Sequence, residues 1–129
     1  MARQNNRMEW HLASIFGLGL ILWLALKRAA LVAPQTARDY LKQGAKVIDV
    51  RNPDEFQSGH LSMAINLPLD EIAQRITREA PDKDTILLLH CLGGFRSGVA
   101  QRSLRQMGYT RVFNLGSLGR AQKIFRAQP

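Results

Sequence analysis

The apolar positions of this chain fall into two regimes. From Leu12 to Leu26 the sequence reads LASIFGLGLILWLAL, fifteen residues without a charge, and Trp10 and His11 extend the segment to seventeen. As a helix rising about 1.5 Å per residue it spans roughly 25 Å, a little short of the roughly 30 Å hydrocarbon core of a bilayer. Apolar residues run all round it with no polar stripe, which argues against a soluble core helix and against a helix lying flat on a membrane. Trp10 at one end and Lys27-Arg28 at the other suit the two interfaces. Residues 10–26 are therefore expected to cross a membrane once. The competing reading is a secretory signal peptide, for which Arg3 and Arg7 supply a basic lead. Its cleavage site is hard to place, because the nearest small-residue stretch, Leu31-Val32-Ala33, runs into Pro34.

Past Pro34 the pattern alternates between short apolar runs and helical spacing. Thr36 and Asp39 resemble a capping box that opens a short helix through Leu41, with Gly44 placed to end it. Val47–Val50 reads as a buried strand, and Asn52-Pro53-Asp54 breaks it and starts a helical turn. Ala64–Pro68 suits another extended piece, and Asp70–Ala80, with Ile72, Ala73 and Ile76 on one face, predicts an amphipathic helix. Thr85–His90 is apolar enough for a central strand buried on both sides. Ser97–Met107 predicts a helix closed by Gly108, Arg111–Leu115 a last strand, and Gly119–Arg126 a terminal helix. Strands and helices in alternation predict an α/β fold, a parallel sheet with helices on both faces, preceded by one N-terminal hydrophobic helix. The chain thus divides into residues 1–30, an anchor with its flanks, and residues 31–129, a single domain.

Composition narrows the chemistry. With 46% apolar and 22% charged residues, the chain has the make-up of a globular protein and excludes a wholly disordered one. One cysteine excludes an intramolecular disulfide and a cysteine-rich zinc site. The net charge of +8 favours an anionic partner. No acidic residue follows Asp84, whereas Arg96, Arg102, Arg105, Arg111, Arg120, Lys123 and Arg126 do. This half is expected to present a positive field that draws in small anions, unless these cations are simply solvated helix faces or contact anionic lipid. Nucleic acid is not expected as a partner: the pI near 10.6 permits it, but no stacking motif, helix-turn-helix signal or zinc pattern supports it.

The stretch Leu87-Leu88-Leu89-His90-Cys91-Leu92-Gly93-Gly94-Phe95-Arg96-Ser97-Gly98 runs from a buried strand through a glycine-bearing loop into a helix. Such a turn aims several backbone N–H groups and the positive end of a helix into one concavity at the carboxyl edge of the sheet, where anions bind. A thiol at its floor has its thiolate stabilised, so Cys91 is expected to titrate below the free value of about 8.5 and to act as a nucleophile. A lone cysteine is more often a small buried hydrophobe, and only the placement of Cys91 lifts the functional reading above that one. Arg96 sits where the helix dipole disfavours a cation, and an anionic ligand would explain it.

These residues carry a family resemblance. Cys91-x-x-Gly94-x-Arg96-Ser97 resembles the active-site loop of rhodanese-type sulfurtransferases. Upstream, Val47-Ile48-Asp49-Val50-Arg51-Asn52-Pro53-Asp54-Glu55-Phe56, Gly59-His60-Leu61 and Ala64-Ile65-Asn66-Leu67-Pro68 are similar to that family's first signature. The likeness covers about residues 36 to 120 and is nearest the small single-domain members, among them an exported phage-shock type. The tail departs from it, with Gly116-Ser117-Leu118-Gly119-Arg120 where members often carry Gly-Gly-x-x-x-Trp.

The resemblance implies a ping-pong transfer whose steps need no metal and no organic cofactor. The Cys91 thiolate would take the outer sulfur of a small anionic donor, thiosulfate or a persulfide, and pass it from a Cys91 persulfide to a thiol, or to cyanide. Leu92, Gly93, Gly94, Phe95 and Ser97 would form the loop around the substrate, with Arg96 as its cation and Arg51 near the pocket. Phe95 would be a pocket wall or simple packing, Glu55 a local cap or pair, and Asp49 and His60 structural supports. Two rivals remain: an idle rhodanese fold used as a binding or sensing module, and a cysteine-dependent phosphatase or arsenate reductase. Those phosphatases space cysteine and arginine by five residues, whereas Cys91 and Arg96 are separated by four, a tighter ring that favours a sulfur atom over a phosphate. Flanking cations favour a cytoplasmic domain behind the anchor, and the exported type implies the periplasm instead.

Overall fold

The computed structural model describes residues 3–126, with side chains from residue 8 onward except those of 27–29. The side chains of Arg3, Arg7, Lys27 and Arg28, read above as flanking charge, lie outside the described residues. Two compact units divide the chain, Met1–Ala30 and Leu31–Pro129. The first is one helix, α1 (Arg3–Ala29). Within it, Met8–Leu26 has a mean hydropathy of 1.6 and is long and apolar enough to cross a membrane, by length and composition.

The second unit is an α/β domain. Its elements are α2 (Pro34–Lys42), β1 (Lys46–Asp49), α3 (Pro53–Gln57), β2 (Ala64–Asn66), α4 (Ile72–Glu79), β3 (Leu87–Cys91), α5 (Phe95–Gln106), β4 (Val112–Ser117) and α6 (Leu118–Arg126). The strands form one sheet in the order β2-β1-β3-β4, and every neighbouring pair is parallel. β3 is central, and all five of its residues are buried, which is why its sequence is a continuous apolar run instead of an alternation. Side chains of β1 and β3 alternate between two cores. Ile48, Leu87, Leu89 and Cys91 pack with Ile72 and Ile76 of α4 and Ala100 and Leu104 of α5. Val47 and Leu88 pack with Ala37 of α2 and Ala121 and Ile124 of α6. Each fully buried leucine contributes about 1.5–3 kcal/mol by leaving water, so Leu88→Ala would open the second core at a cost of about 2–5 kcal/mol.

Several details differ from the sequence expectation. α2 begins at Pro34 with Ala33 as its cap, and no side chain caps it, so the Thr36–Asp39 pair does not open it. Proline supplies the helical φ at the first position and needs no N–H there, which starts the helix two residues before Thr36. In α4, Ala73 is exposed and the buried stripe is Ile72 and Ile76. α5 starts at Phe95, two residues early, because Gly94 takes the cap position with φ +96°, a left-handed conformation that glycine adopts at little cost. β4 runs on to Ser117 through an irregularity: Leu89 pairs with Asn114 but His90 pairs with Gly116, so Leu115 is skipped. A bulge of this kind re-aims the strand, and it lies beside the turn between β3 and α5, where Gly94 packs on Gly116.

Candidate active site

β3 ends at Cys91, and the next three residues turn into α5. Within that turn the Gly94 N–H donates to Cys91 Sγ at 2.9 Å, and Ser97 Oγ lies 3.5 Å from the same sulfur. Burial pushes the Cys91 thiol up, but hydrogen bonds from the Ser97 hydroxyl and from the N–H groups of Ser97, Gly94 and Gly93 outweigh it, and its pKa falls below the usual thiol value. The sulfur is thus turned toward the loop's donors even though the residue is only 1% exposed.

The loop is braced from β4. Asn114 Oδ1 accepts from Ser97 Oγ at 2.8 Å and from the Gly116 N–H at 2.8 Å, while Asn114 Nδ2 donates to Gly94 O at 3.4 Å. The Ser97 hydroxyl has one hydrogen, and with the thiol neutral its best-placed acceptor is Asn114. A thiolate competes for that hydrogen, because a bond to a charged acceptor is about twice as strong. Asn114 is buried in an otherwise apolar strand, and that polar interruption of Val112-Phe113-Asn114-Leu115 is the signal that sequence reasoning passed over. Gly94 also packs tightly on β4, for a Cβ there would lie 3.3 Å from Gly116 Cα.

Arg96 on the first turn of α5 is held by Glu55 of α3, with Nη1 2.7 Å from Oε2 and Nη2 2.9 Å from Oε1. Glu55 Oε2 also accepts from the Asn52 N–H at 2.9 Å, closing the start of α3. These bonds, first that to Arg96, hold the Glu55 carboxyl at about 2, well below its ordinary range. The guanidinium is raised in turn, chiefly by Glu55 and further by the nearby Cys91 sulfur. Glu55 is therefore more than a local cap: it reaches across 41 residues to fix the cation, and it gives Arg96 a partner besides any ligand.

Arg51 is corrected from a pocket residue to an interior one. It is 3% exposed, and its guanidinium is bonded to the Asp49 carboxylate, with Nη2–Oδ2 at 2.7 Å, and to Gly59 O at 2.7 Å. Asp49 is the other half of that buried pair and also accepts the Arg51 N–H at 3.0 Å. His60 stacks on Phe56 with ring centroids 3.7 Å apart, and its Nδ1 lies 2.7 Å from Phe56 O. Leu92 and Phe95 are 59% and 78% exposed, so Phe95 neither packs into a core nor walls an enclosed pocket. Arg120 of the basic half is a tie: it donates to Leu115 O and Val32 O, each at 2.7 Å. Arg105 is likewise bonded to Val112 O at 2.8 Å.

A family model for the rhodanese-like domain matches residues 33–118, which span the sheet and the whole catalytic loop. The chain belongs to the rhodanese-like family. Thiosulfate sulfurtransferase PspE of Escherichia coli (strain K12) is 45% identical over 71 residues, covering 55% of this chain and 68% of that protein. Thiosulfate sulfurtransferase GlpE of Pseudomonas aeruginosa (strain LESB58) is 33% identical over 84 residues, covering 65% of this chain and 74% of that one. The solved structure of a rhodanese with anions from E. coli matches with a TM-score of 0.58 at 42% identity, covering 59% of this chain and 89% of that one. The α/β architecture of the second unit is the rhodanese fold, and the thiosulfate sulfurtransferases among its relatives support sulfurtransferase activity.

Proposed function

We propose that this rhodanese-like protein is a thiosulfate sulfurtransferase that works through a Cys91 persulfide. The observation that carries the reading is the Gly94 N–H aimed at Cys91 Sγ at 2.9 Å, with Ser97 behind it and Arg96 beside it. In the first step the Cys91 thiolate attacks the outer sulfur of thiosulfate. A new S–S bond forms, the old one breaks, and its electron pair leaves with sulfite, so that a persulfide anion replaces the thiolate in the same ring of donors. Preorganised N–H groups stabilise both anions without reorienting, which is where such a site gains its rate. In the second step an acceptor thiolate attacks the outer sulfur of the protonated persulfide, and the Cys91 thiolate is regenerated. With one cysteine in the chain, the resolving thiol must come from outside.

Intact mass after thiosulfate treatment tests this reading. The wild type should gain one sulfur atom and Cys91→Ser none; no adduct on the wild type would favour a binding module, and turnover of an aryl phosphate a phosphatase.

The length and hydropathy of Met8–Leu26 support a single-pass anchor, with flanking cations favouring a cytoplasmic domain and likeness to an exported relative favouring a periplasmic one. The protein should stay with membranes after alkaline extraction with its N-terminus intact. A mature chain starting near residue 34 would make the segment a signal peptide.

A further inference from the structure

A groove of about 450 Å³ is lined on one wall by Arg96, the loop cation on which the Cys91 sulfur acts. Its walls include Arg96, Pro53 at the head of α3, and Leu69, Asp70 and Glu71 just ahead of α4. Its size is that of a small-molecule site, and it combines apolar surface with a few charged groups, the make-up such sites have. The two carboxylates differ in state. Glu71 is bonded to Arg75 Nη1 at 2.8 Å, whereas the Asp70 carboxylate has no hydrogen-bond or ion-pair partner among the described residues.

Apart from Arg96, the charged walls of the groove do not suit the donor. Thiosulfate and sulfite are dianions, and Asp70 and Glu71 repel them. A molecule suited to it carries a positive charge for Asp70 and a negative atom drawn to Arg96, the residue the groove shares with the Cys91 loop. A thiolate separated by a few bonds from an ammonium meets both conditions.

We propose that the groove is the acceptor subsite and that Asp70 selects amine-bearing low-molecular-weight thiols by holding their ammonium group. This deepens the sulfurtransferase reading and rests on it. The step is RS⁻ + Cys91–S–SH → RS–SH + Cys91–S⁻: the acceptor forms the new S–S bond, the bond to Cys91 breaks, and its electron pair returns to Cys91 Sγ. The transferred sulfur keeps its proton, and no oxidant or reductant is needed.

The test uses the full chain in detergent, loaded with thiosulfate, freed of donor and mixed with one acceptor at a time. Cysteamine, 2-mercaptoethanol and mercaptoacetate carry a positive, a zero and a negative charge, and their rates are compared at equal thiolate concentration. Cysteamine should exceed 2-mercaptoethanol by about fivefold, the upper range of an exposed ion pair, with mercaptoacetate slowest. Asp70→Asn should bring the cysteamine to 2-mercaptoethanol ratio to about one, and Asp70→Glu should keep it well above one. A ratio unmoved by Asp70→Asn, or mercaptoacetate as the fastest acceptor, overturns the proposal.

Failure of the underlying reading shows differently, as no sulfur on Cys91 at the loading stage. In that event the aminoethyl and methyl methanethiosulfonates, reacting directly with the Cys91 thiol, replace the acceptors. A fivefold preference for the aminoethyl reagent that Asp70→Asn removes upholds the cation-selective groove, and equal rates refute it.

Discussion

Replacing Gly94 with alanine adds one carbon to the catalytic loop and removes nothing. Residue 94 has φ +96°, where an L-residue pays about 1–2 kcal/mol. The new Cβ would also meet Gly116 at 3.3 Å from Cα and 3.5 Å from C, and both are backbone atoms that cannot swing aside as a side chain would. The domain has two responses. It can keep the loop and lose about 2 kcal/mol of stability, or it can relax residue 94 to negative φ. Relaxation turns its N–H away from Cys91 Sγ, now 2.9 Å distant, and gives up a hydrogen bond to a charged acceptor worth about 1.5–3 kcal/mol, which raises the thiol pKa by about one unit or more. Urea unfolding measures the first response. It must be followed by far-UV circular dichroism, because both tryptophans, Trp10 and Trp23, lie in α1 and not in the domain. The pH dependence of Cys91 alkylation measures the second. An alanine variant with wild-type unfolding and a wild-type thiol titration would refute the argued geometry of the loop.

Three further outcomes follow from the same geometry. Arg96→Ala should lower kcat/KM for thiosulfate at least tenfold while changing stability by about 1 kcal/mol or less, since its ion pair with Glu55 is partly exposed; unchanged kinetics would remove its role. His90 is buried, its Nε2 has no hydrogen-bond partner among the described residues, and burial depresses its pKa despite Asp49 at 3.7 Å. The unfolded chain then binds the proton more readily, so stability is fully present above the ordinary imidazole value near 6.5 and declines as pH falls below it toward the folded value. His90→Gln should flatten the loss between pH 7 and 5, and an equally steep loss would contradict the assignment. Arg120→Met leaves the Leu115 and Val32 carbonyls without their 2.7 Å donor, at an expected cost of about 2–3 kcal/mol by chemical denaturation; a variant as stable as wild type would return Arg120 to the surface field.

What the sequence disclosed was local. The loop from Leu87 to Gly98 combines strand, glycines and helix within a dozen residues, so the turn that aims the Gly94 N–H at Cys91 Sγ follows from spacing alone. The alternation of Val47 and Ile48, and of Leu88 and Leu89, between two cores follows from the period of a strand. What it withheld were side-chain pairings between distant elements. The reach of Glu55 to Arg96 and of Asn114 to Ser97 depends on the sheet order and on the bulge at Leu115, and neither has a mark in either segment. Arg51 was misplaced for a related reason. Its partners, Asp49 and the Gly59 carbonyl, neutralise and bury it, while by charge alone it resembles Arg96. Thr36 misled because a capping-box spacing competes with a proline two residues earlier, and the proline sets the helix start.

Main-chain and hydroxyl donors lower the pKa of the Cys91 thiol against the burial that raises it. The rate of Cys91 alkylation by iodoacetamide, followed from pH 4 to 10 on the full chain, measures it directly, since no other thiol is present. The account predicts a midpoint below the value of about 8.5 for a free thiol, moving upward in Ser97→Ala. A midpoint at or above 8.5 in the wild type would mean that burial prevails over the donors, and the account of sulfur transfer at this loop would be wrong.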